Sequence, residues 1–171
     1  MTKISEIFDV ETGRDLTISK EPIGDIPVVS LCTKNNGIVK YIKENPLHKL
    51  HKAGSITVGA YGTLYATVQF SDFYVAGRVK VLTSKRKMTI QEKLYYCVCI
   101  NRNRYRFNYG RVAGERIAEL DVPETVPKWT DKIELPDYNL TVDNEITDVA
   151  DRLIEVRSWK IKIVQNLYHQ D

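Results

Sequence analysis

"SITVGAYGTLYATVQFSDFYVAGRVKVL", residues 55–82, alternates apolar and polar positions almost without interruption. Ile56 and Val58 alternate with Ser55 and Thr57. Leu64, Ala66, Val68 and Phe70 alternate with Tyr65, Thr67 and Gln69, and Val75, Val79 and Val81 continue the series. A period of two places successive side chains on opposite faces of a strand, so the stretch reads as strand, turn, strand, turn, strand with one apolar face to bury. The turn "GAYGT", residues 59–63, carries glycines at 59 and 62 that let the backbone bend tightly or approach a ligand closely. Its Gly-x-x-Gly spacing lacks the Lys-Ser/Thr of a nucleotide phosphate loop, and the whole stretch offers no nucleophile, base or metal cluster.

Upstream, Ile4, Ile7 and Phe8 mark a short apolar element ended by a turn at Thr12-Gly13-Arg14. The β-branched run "IPVVSLCT" and the following "KNNG" and "IVKYI" predict strands at 26–32 and 37–42 joined by a tight Asn-Gly hairpin, since both turn residues tolerate positive φ. Asn45-Pro46 then breaks the chain. His48 and His51 would share one face of a helix, but no carboxylate accompanies them at ligand spacing, which favours solvated histidines over a metal pair.

Downstream, "MTIQEKLYYCVCINRNRYRF" is ambiguous: "YYCVC" has strand propensity, while Ile90, Leu94, Cys97, Val98 and Asn101 follow helical spacing. Thr89 followed three residues later by Glu92 fits a capping box, in which each side chain satisfies a free backbone N–H, and predicts a helix over 90–103. Its last turn and the following loop would present Arg102, Arg104, Arg106, Tyr109 and Arg111. After Gly114 the chain turns proline-rich and acidic, as suits an irregular connector. Ile146, Val149, Ala150, Leu153, Val156, Lys160, Val164 and Leu167 then form a stripe that predicts a helix over 144–168, about 37 Å long at the helical rise. Such a helix either packs across the domain or pairs with another chain.

A chain of 171 residues with 43% apolar content suits one globular domain with an appended element. No run of about 18 apolar residues exists to span a bilayer, and the start "MTKISEIFDVETGRDL" lacks the apolar block of a signal peptide. A cytoplasmic location without membrane contact is expected. Three cysteines, with Cys97 and Cys99 two apart and only Cys32 besides, cannot build a four-thiolate zinc site, and read as reduced, mostly buried thiols. Neither a metal nor a cofactor is expected.

The net charge of +3 conceals a strong asymmetry. Residues 78–116 carry 11 Lys or Arg against two acids, whereas 117–171 carry six against 12. A basic segment of this density suits phosphate backbones, and arginine in addition offers a forked donor for phosphate or a guanine edge. Charge alone leaves open a solvated face neutralised by the acidic C-terminal third.

The succession "GDIPVVSLCTKNNGIV", "AGSITVGAYGTLYATVQFSDFYVAGRVKVL", a helix, and "YRFNYGRVAGERIAELDVP" resembles the target-recognition domain of restriction-modification specificity subunits. That family includes the Type I S subunits and the recognition domains fused to Type IIG and BcgI-like enzymes. The resemblance covers roughly residues 1–130, and its most distinctive pieces are "ITVGAYGT", "DFYV" and "NYGR". It implies an α+β fold, a small twisted and mostly antiparallel sheet with packed helices, here followed by the long C-terminal helix. Residues 1–140 would be the recognition domain, and 141–171 a spacer or oligomerisation element.

What the resemblance implies about function is sequence-specific recognition of double-stranded DNA, with methylation and cleavage done by other subunits or fused domains and no catalysis by this chain. Base edges need directed donors and acceptors, whereas phosphates need only well-placed charge. Asn35, Asn36, Tyr61, Thr63 and Arg104 are accordingly assigned to base-edge or groove contacts, and Lys34, Lys85, Arg86, Lys87, Arg102, Arg106 and Arg111 to the DNA backbone, with Tyr109 beside them. S subunits of the usual kind carry two such domains, and this chain has room for one. Pairing of two copies through the C-terminal helix would rebuild a two-part reader. Two other classes stay open. A protein-interaction or regulatory module would use the long helix and acidic third, and an enzyme would have to draw on Asp9, Glu11, Asp15, His48 and His51.

Overall fold

The computed structural model describes residues 1–13, 16–107 and 112–135, so the expected helix over 144–168 lies outside the described residues. The chain separates into two units, 1–133 and 134–171, and every element below belongs to the first. Its elements are β1 (Thr2–Lys3), α1 (Ile4–Ile7), β2 (Phe8–Thr12), β3 (Ile23–Val29), β4 (Ile38–Ile42), β5 (Ile56–Gly59), β6 (Tyr65–Val68), β7 (Tyr74–Val75), β8 (Val79–Ser84), α2 (Ile90–Arg102) and β9 (Asp121–Val122). This is the mostly antiparallel α+β architecture that the resemblance implies.

Residues 55–82 form four strands shared between two sheets, rather than three strands of one. β2, β8, β5 and β6 lie side by side in that order, all antiparallel. β7 instead joins β3 and β4, running parallel to β3. The period-two pattern explains why two layers are needed. Ile56, Val58, Ala66, Val68 and Leu82 bury one face of the four-stranded sheet against Tyr96, Cys97 and Ile100 of α2 and against Ile117, Leu120 and Val122. Val79 and Val81 bury the other face against Val29, Phe73 and Val75 of the smaller sheet. A further cluster of Leu16, Val28, Ile42, Tyr74 and Ala76 packs on the three-stranded sheet of β4, β3 and β7. Phe70 does not continue the series: β6 ends at Val68, and Phe70 is half exposed.

The capping box of α2 is fully formed, with Thr89 Oγ1 accepting from the Glu92 N–H and the Glu92 carboxylate accepting from the Thr89 N–H. The helix buries Tyr96, Cys97 and Ile100, whereas Val98, read as part of the apolar stripe, faces solvent. Tyr96 meets Phe8 edge-to-face at 5.3 Å. Asn101 serves a different purpose from an apolar position. Its carboxamide accepts from the Ala66 N–H at 2.7 Å and donates to the Ala66 carbonyl at 2.9 Å, so it occupies the open edge of β6 as a neighbouring strand would.

The hairpin of β3 and β4 is antiparallel as expected, but its connection is a loop over residues 30–37 rather than a two-residue turn. Asn35, Asn36 and Gly37 all have positive φ, at 47°, 51° and 79°, and close the loop with the Ser30 N–H donating to the Gly37 carbonyl. Cys97 alone of the three free cysteines is fully buried, and burial pushes its thiol up to about 12. Among the described residues no helix is long and apolar enough to cross a membrane.

Candidate nucleic-acid interface

Gly59 pairs with Val79 at one end of the four-stranded sheet, and Phe8 pairs with Ser84 at the other. The register therefore places the turn 60–64 and Arg78 together at the first end. Loop 30–37 reaches the same end. Asn36 Oδ1 accepts from Thr67 Oγ1 at 2.8 Å and its carbonyl accepts from Gln69 Nε2 at 2.9 Å, which ties the loop to β6 and the residue after it on the face turned away from α2. Between the loop and the turn runs a cleft of about 340 Å³ lined by Leu31, Cys32, Thr33, Lys34, Gly59, Tyr61, Gly62, Thr63 and Tyr65. Lys34, Tyr61 and Thr63 thus line one cleft, whereas Asn35 and Asn36 belong to the same loop but are not among the lining residues. Gly62 has φ 124° with open space where a side chain would stand, so the tip is thin and its backbone approachable; Gly59 is ordinary strand.

A polar cluster supports the tip from below. Lys80, on β8, is 1% exposed, and its ammonium donates to Thr12 Oγ1 at 2.6 Å and to Glu115 Oε1 at 2.5 Å. Tyr61 Oη donates to the same carboxylate oxygen at 3.1 Å, while Arg78 lies over the Tyr61 ring at 5.4 Å from its centroid. The Lys80 hydrogen bond, joined by that of Tyr61, holds the Glu115 carboxyl below the usual carboxylate range. The backbone closes the arrangement: Gly114 N–H donates to the Ala60 carbonyl at 2.9 Å, and Gly114, at φ 47°, lies against the Tyr61 ring. Arg78, Lys80 and Glu115 were not singled out from the sequence. The available signal was that Glu115 is one of two acids in the basic segment 78–116.

The remaining basic residues diverge. Arg104 Nε donates to the Leu64 carbonyl at 3.0 Å, which brings its guanidinium to the tip. Arg106 bonds Asn103 Oδ1, and Arg102 borders an apolar groove on the outer side of α2. Lys85, Arg86 and Lys87 follow Ser84, at the end of β8 away from the tip by about 20 Å at the rise of a strand. There Lys85 donates to the Ser5 carbonyl at 2.7 Å and Arg86 pairs with Glu92 at 2.8 Å. The structure does not bring this trio to the cleft. Tyr109 and Arg111 lie outside the described residues.

His48 and His51 are not on a helix, and neither is simply solvated. His51 is buried and stacked on Phe73 at 5.4 Å, and burial lowers its pKa. His48 lies 3.5 Å from Glu21, a carboxylate that the local spacing did not reveal. Both border a cleft of about 470 Å³ with Glu11 and Lys49, themselves paired at 2.5 Å. Among the described residues no group of three or more His, Cys, Asp or Glu is placed to hold a metal ion. The groove beside Arg102, about 370 Å³, is lined mainly by Leu94, Tyr95, Val98, Pro123, Trp129 and Ile133, with Val98 and Trp129 more than half exposed.

The family model described as Type I restriction modification DNA specificity domain matches residues 1–124. In structure the chain is similar to the Type-I restriction-modification system S subunit from M. genitalium, with a TM-score of 0.51 and 12% identity over 68% of this chain and 31% of that one. It is also similar to the HsdS subunit from Thermoanaerobacter tengcongensis, with a TM-score of 0.47 and 9% identity over 72% of this chain and 29% of that one. This chain thus spans less than a third of either S subunit. No curated protein matches it.

Proposed function

On the premise that this chain belongs to the family of Type I restriction modification DNA specificity domains, we propose that it recognises a DNA target sequence for a restriction-modification system as a single target-recognition domain. The observation that carries this reading is the convergence of loop 30–37, turn 60–64, Arg78 and Arg104 at one end of a rigid sheet. Three of the cations there keep their charge available. Among the described residues the Lys34 ammonium has no hydrogen-bond partner, the Arg78 guanidinium contacts only a ring face, and the terminal nitrogens of Arg104 are unpaired. Cations held this way suit phosphate contacts, and the intervening Asn35, Tyr61 and Thr63 suit groove contacts. Lys85 and Arg86, bonded to protein groups at the other end, contribute less.

In this reading, methylation and cleavage are the work of methyltransferase and restriction subunits or fused domains. The recognition domain occupies residues 1–140, and 141–171 acts as the spacer through which two copies pair, so that two half-specificity subunits read a bipartite target. A protein-interaction module is the second reading, and the exposed apolar groove at Val98, Trp129 and Ile133 favours it.

The discriminating experiment compares Lys34→Ala/Arg78→Ala/Arg104→Ala with Arg102→Ala/Arg106→Ala in the full chain. The tip triple variant is expected to weaken duplex binding and to flatten the slope of log K against log salt by about two to three, in proportion to the phosphate contacts removed. The other pair should change binding far less. Equal, full duplex affinity in both variants would favour the interaction module.

A further inference from the structure

We propose that Glu115 reads the exocyclic amino group of a cytosine, and so sets the base preference at one position of the target. The proposal rests on the DNA-recognition reading above. Its starting point is the distribution of donors around one carboxylate. Lys80 and Tyr61 both donate to Oε1, and Oε2 has no donor among the described residues. The side chain is nevertheless 79% exposed. An anchored oxygen and an outward one make a directed acceptor rather than a loose surface charge. The Gly114–Ala60 hydrogen bond fixes its backbone to the tip that carries Tyr61 and Thr63.

Placing an ionised carboxylate on a face that binds phosphates is unfavourable unless the carboxylate meets a donor. In the major groove the donors are exocyclic amines, cytosine N4 and adenine N6. Adenine sets its N7 acceptor beside N6, against the second carboxylate oxygen, whereas cytosine has no acceptor of its own next to N4 on that edge. The chemistry therefore selects cytosine. Tyr61 and Lys80 are positioning residues in this arrangement: they aim the carboxylate, and Arg78 fixes the Tyr61 ring by lying over its face.

Glu115→Gln tests this directly. The amide oxygen can still accept from Lys80 and Tyr61, which leaves the NH₂ outward and turns the acceptor into a donor. Full-length wild-type and Glu115→Gln chains are each used to select from a randomised duplex-DNA library. The expected result is a wild-type motif with one cytosine that becomes guanine or thymine in the variant, whose edges offer acceptors, while the other positions are retained. Affinity of the variant for the wild-type site should fall about tenfold, the scale of one base-edge contact. Glu115→Asp, which keeps the charge but withdraws it by one methylene, should blur the cytosine preference without reversing it, and serves should the amide variant not fold. An identical motif in all three chains, with affinity raised uniformly when the charge is removed, would overturn the proposal and make Glu115 a simple repulsive charge. A wild-type chain that enriches no motif would remove the recognition reading and this proposal with it.

Discussion

The buried ammonium of Lys80, on β8, lies 2.5 Å from the carboxylate of Glu115, which is largely in solvent. The pair is asymmetric, and the asymmetry predicts unequal responses to removing each partner. Replacing Lys80 by Met keeps the apolar stem and leaves Glu115 free to be solvated, so stability should stay within about 1 kcal/mol of wild type. Replacing Glu115 by Ala leaves a buried cation with only Thr12 Oγ1, and should cost about 1–2 kcal/mol, moderated by the solvent that already screens the pair. Urea denaturation of both variants checks the order.

Asn101 closes the edge of β6 by two hydrogen bonds to Ala66. Asn101→Ala should therefore destabilise by about 2 kcal/mol, through two backbone groups left without a protein partner. Asn101→Asp should also destabilise, because it loses the donor to the Ala66 carbonyl. An unfolding midpoint unchanged in both would show that the edge needs no such cover.

Lys34 and Asn36 stand two residues apart but do different things. Lys34 is an exposed cation at the cleft, so Lys34→Ala should leave stability unchanged and lower the salt dependence of duplex binding by about one unit of slope. Asn36 anchors the loop to Thr67 with φ 51°, so Asn36→Ala should cost about 1–2 kcal/mol of folding stability as well as binding. Paired denaturation and binding titrations separate the two.

Stability should fall on acidification in two stages. Burial, seconded by Lys49, lowers the pKa of His51, so the unfolded chain takes up its proton first and stability declines as pH drops below the ordinary histidine value of about 6.5. Glu11, held low by its hydrogen bond with Lys49, and Glu115, held low by that of Lys80, contribute stability above the ordinary carboxylate range and lose it below about pH 4.5. His51→Phe, which keeps the stack on Phe73, should remove the first stage and leave the second. Denaturation series between pH 7.5 and 3 would show the first change of slope lost and the second kept.

The sequence is legible where the physics is local. The Thr89–Glu92 box starts α2, and alternation finds the strands β5, β6 and β8. Alternation marks which face is buried but not by which layer, so it could not tell that Tyr74 and Val75 leave for the neighbouring sheet and pair parallel with β3. Asn-Gly signals positive φ, which Asn36 and Gly37 have, but loop length is set by what the loop packs on, here Thr67 and Gln69. The same reason hides half of the candidate site. Arg78, Lys80 and Glu115 reach Tyr61 only through strand register and the Gly114–Ala60 hydrogen bond, contacts between residues far apart in the chain. Arginine clustering at 102, 104 and 106 suggested one surface, whereas the chain's turn after α2 sends the three side chains to different neighbours.

Recognition of a defined DNA sequence is the central claim, and selection from a randomised duplex library by the full-length chain, at two salt concentrations with sequencing of the retained fraction, tests it most directly. The predicted result is an enriched motif, bipartite if two copies pair, whose retention weakens as salt rises. Retention of duplexes without sequence enrichment, or no retention even at low salt, would contradict it.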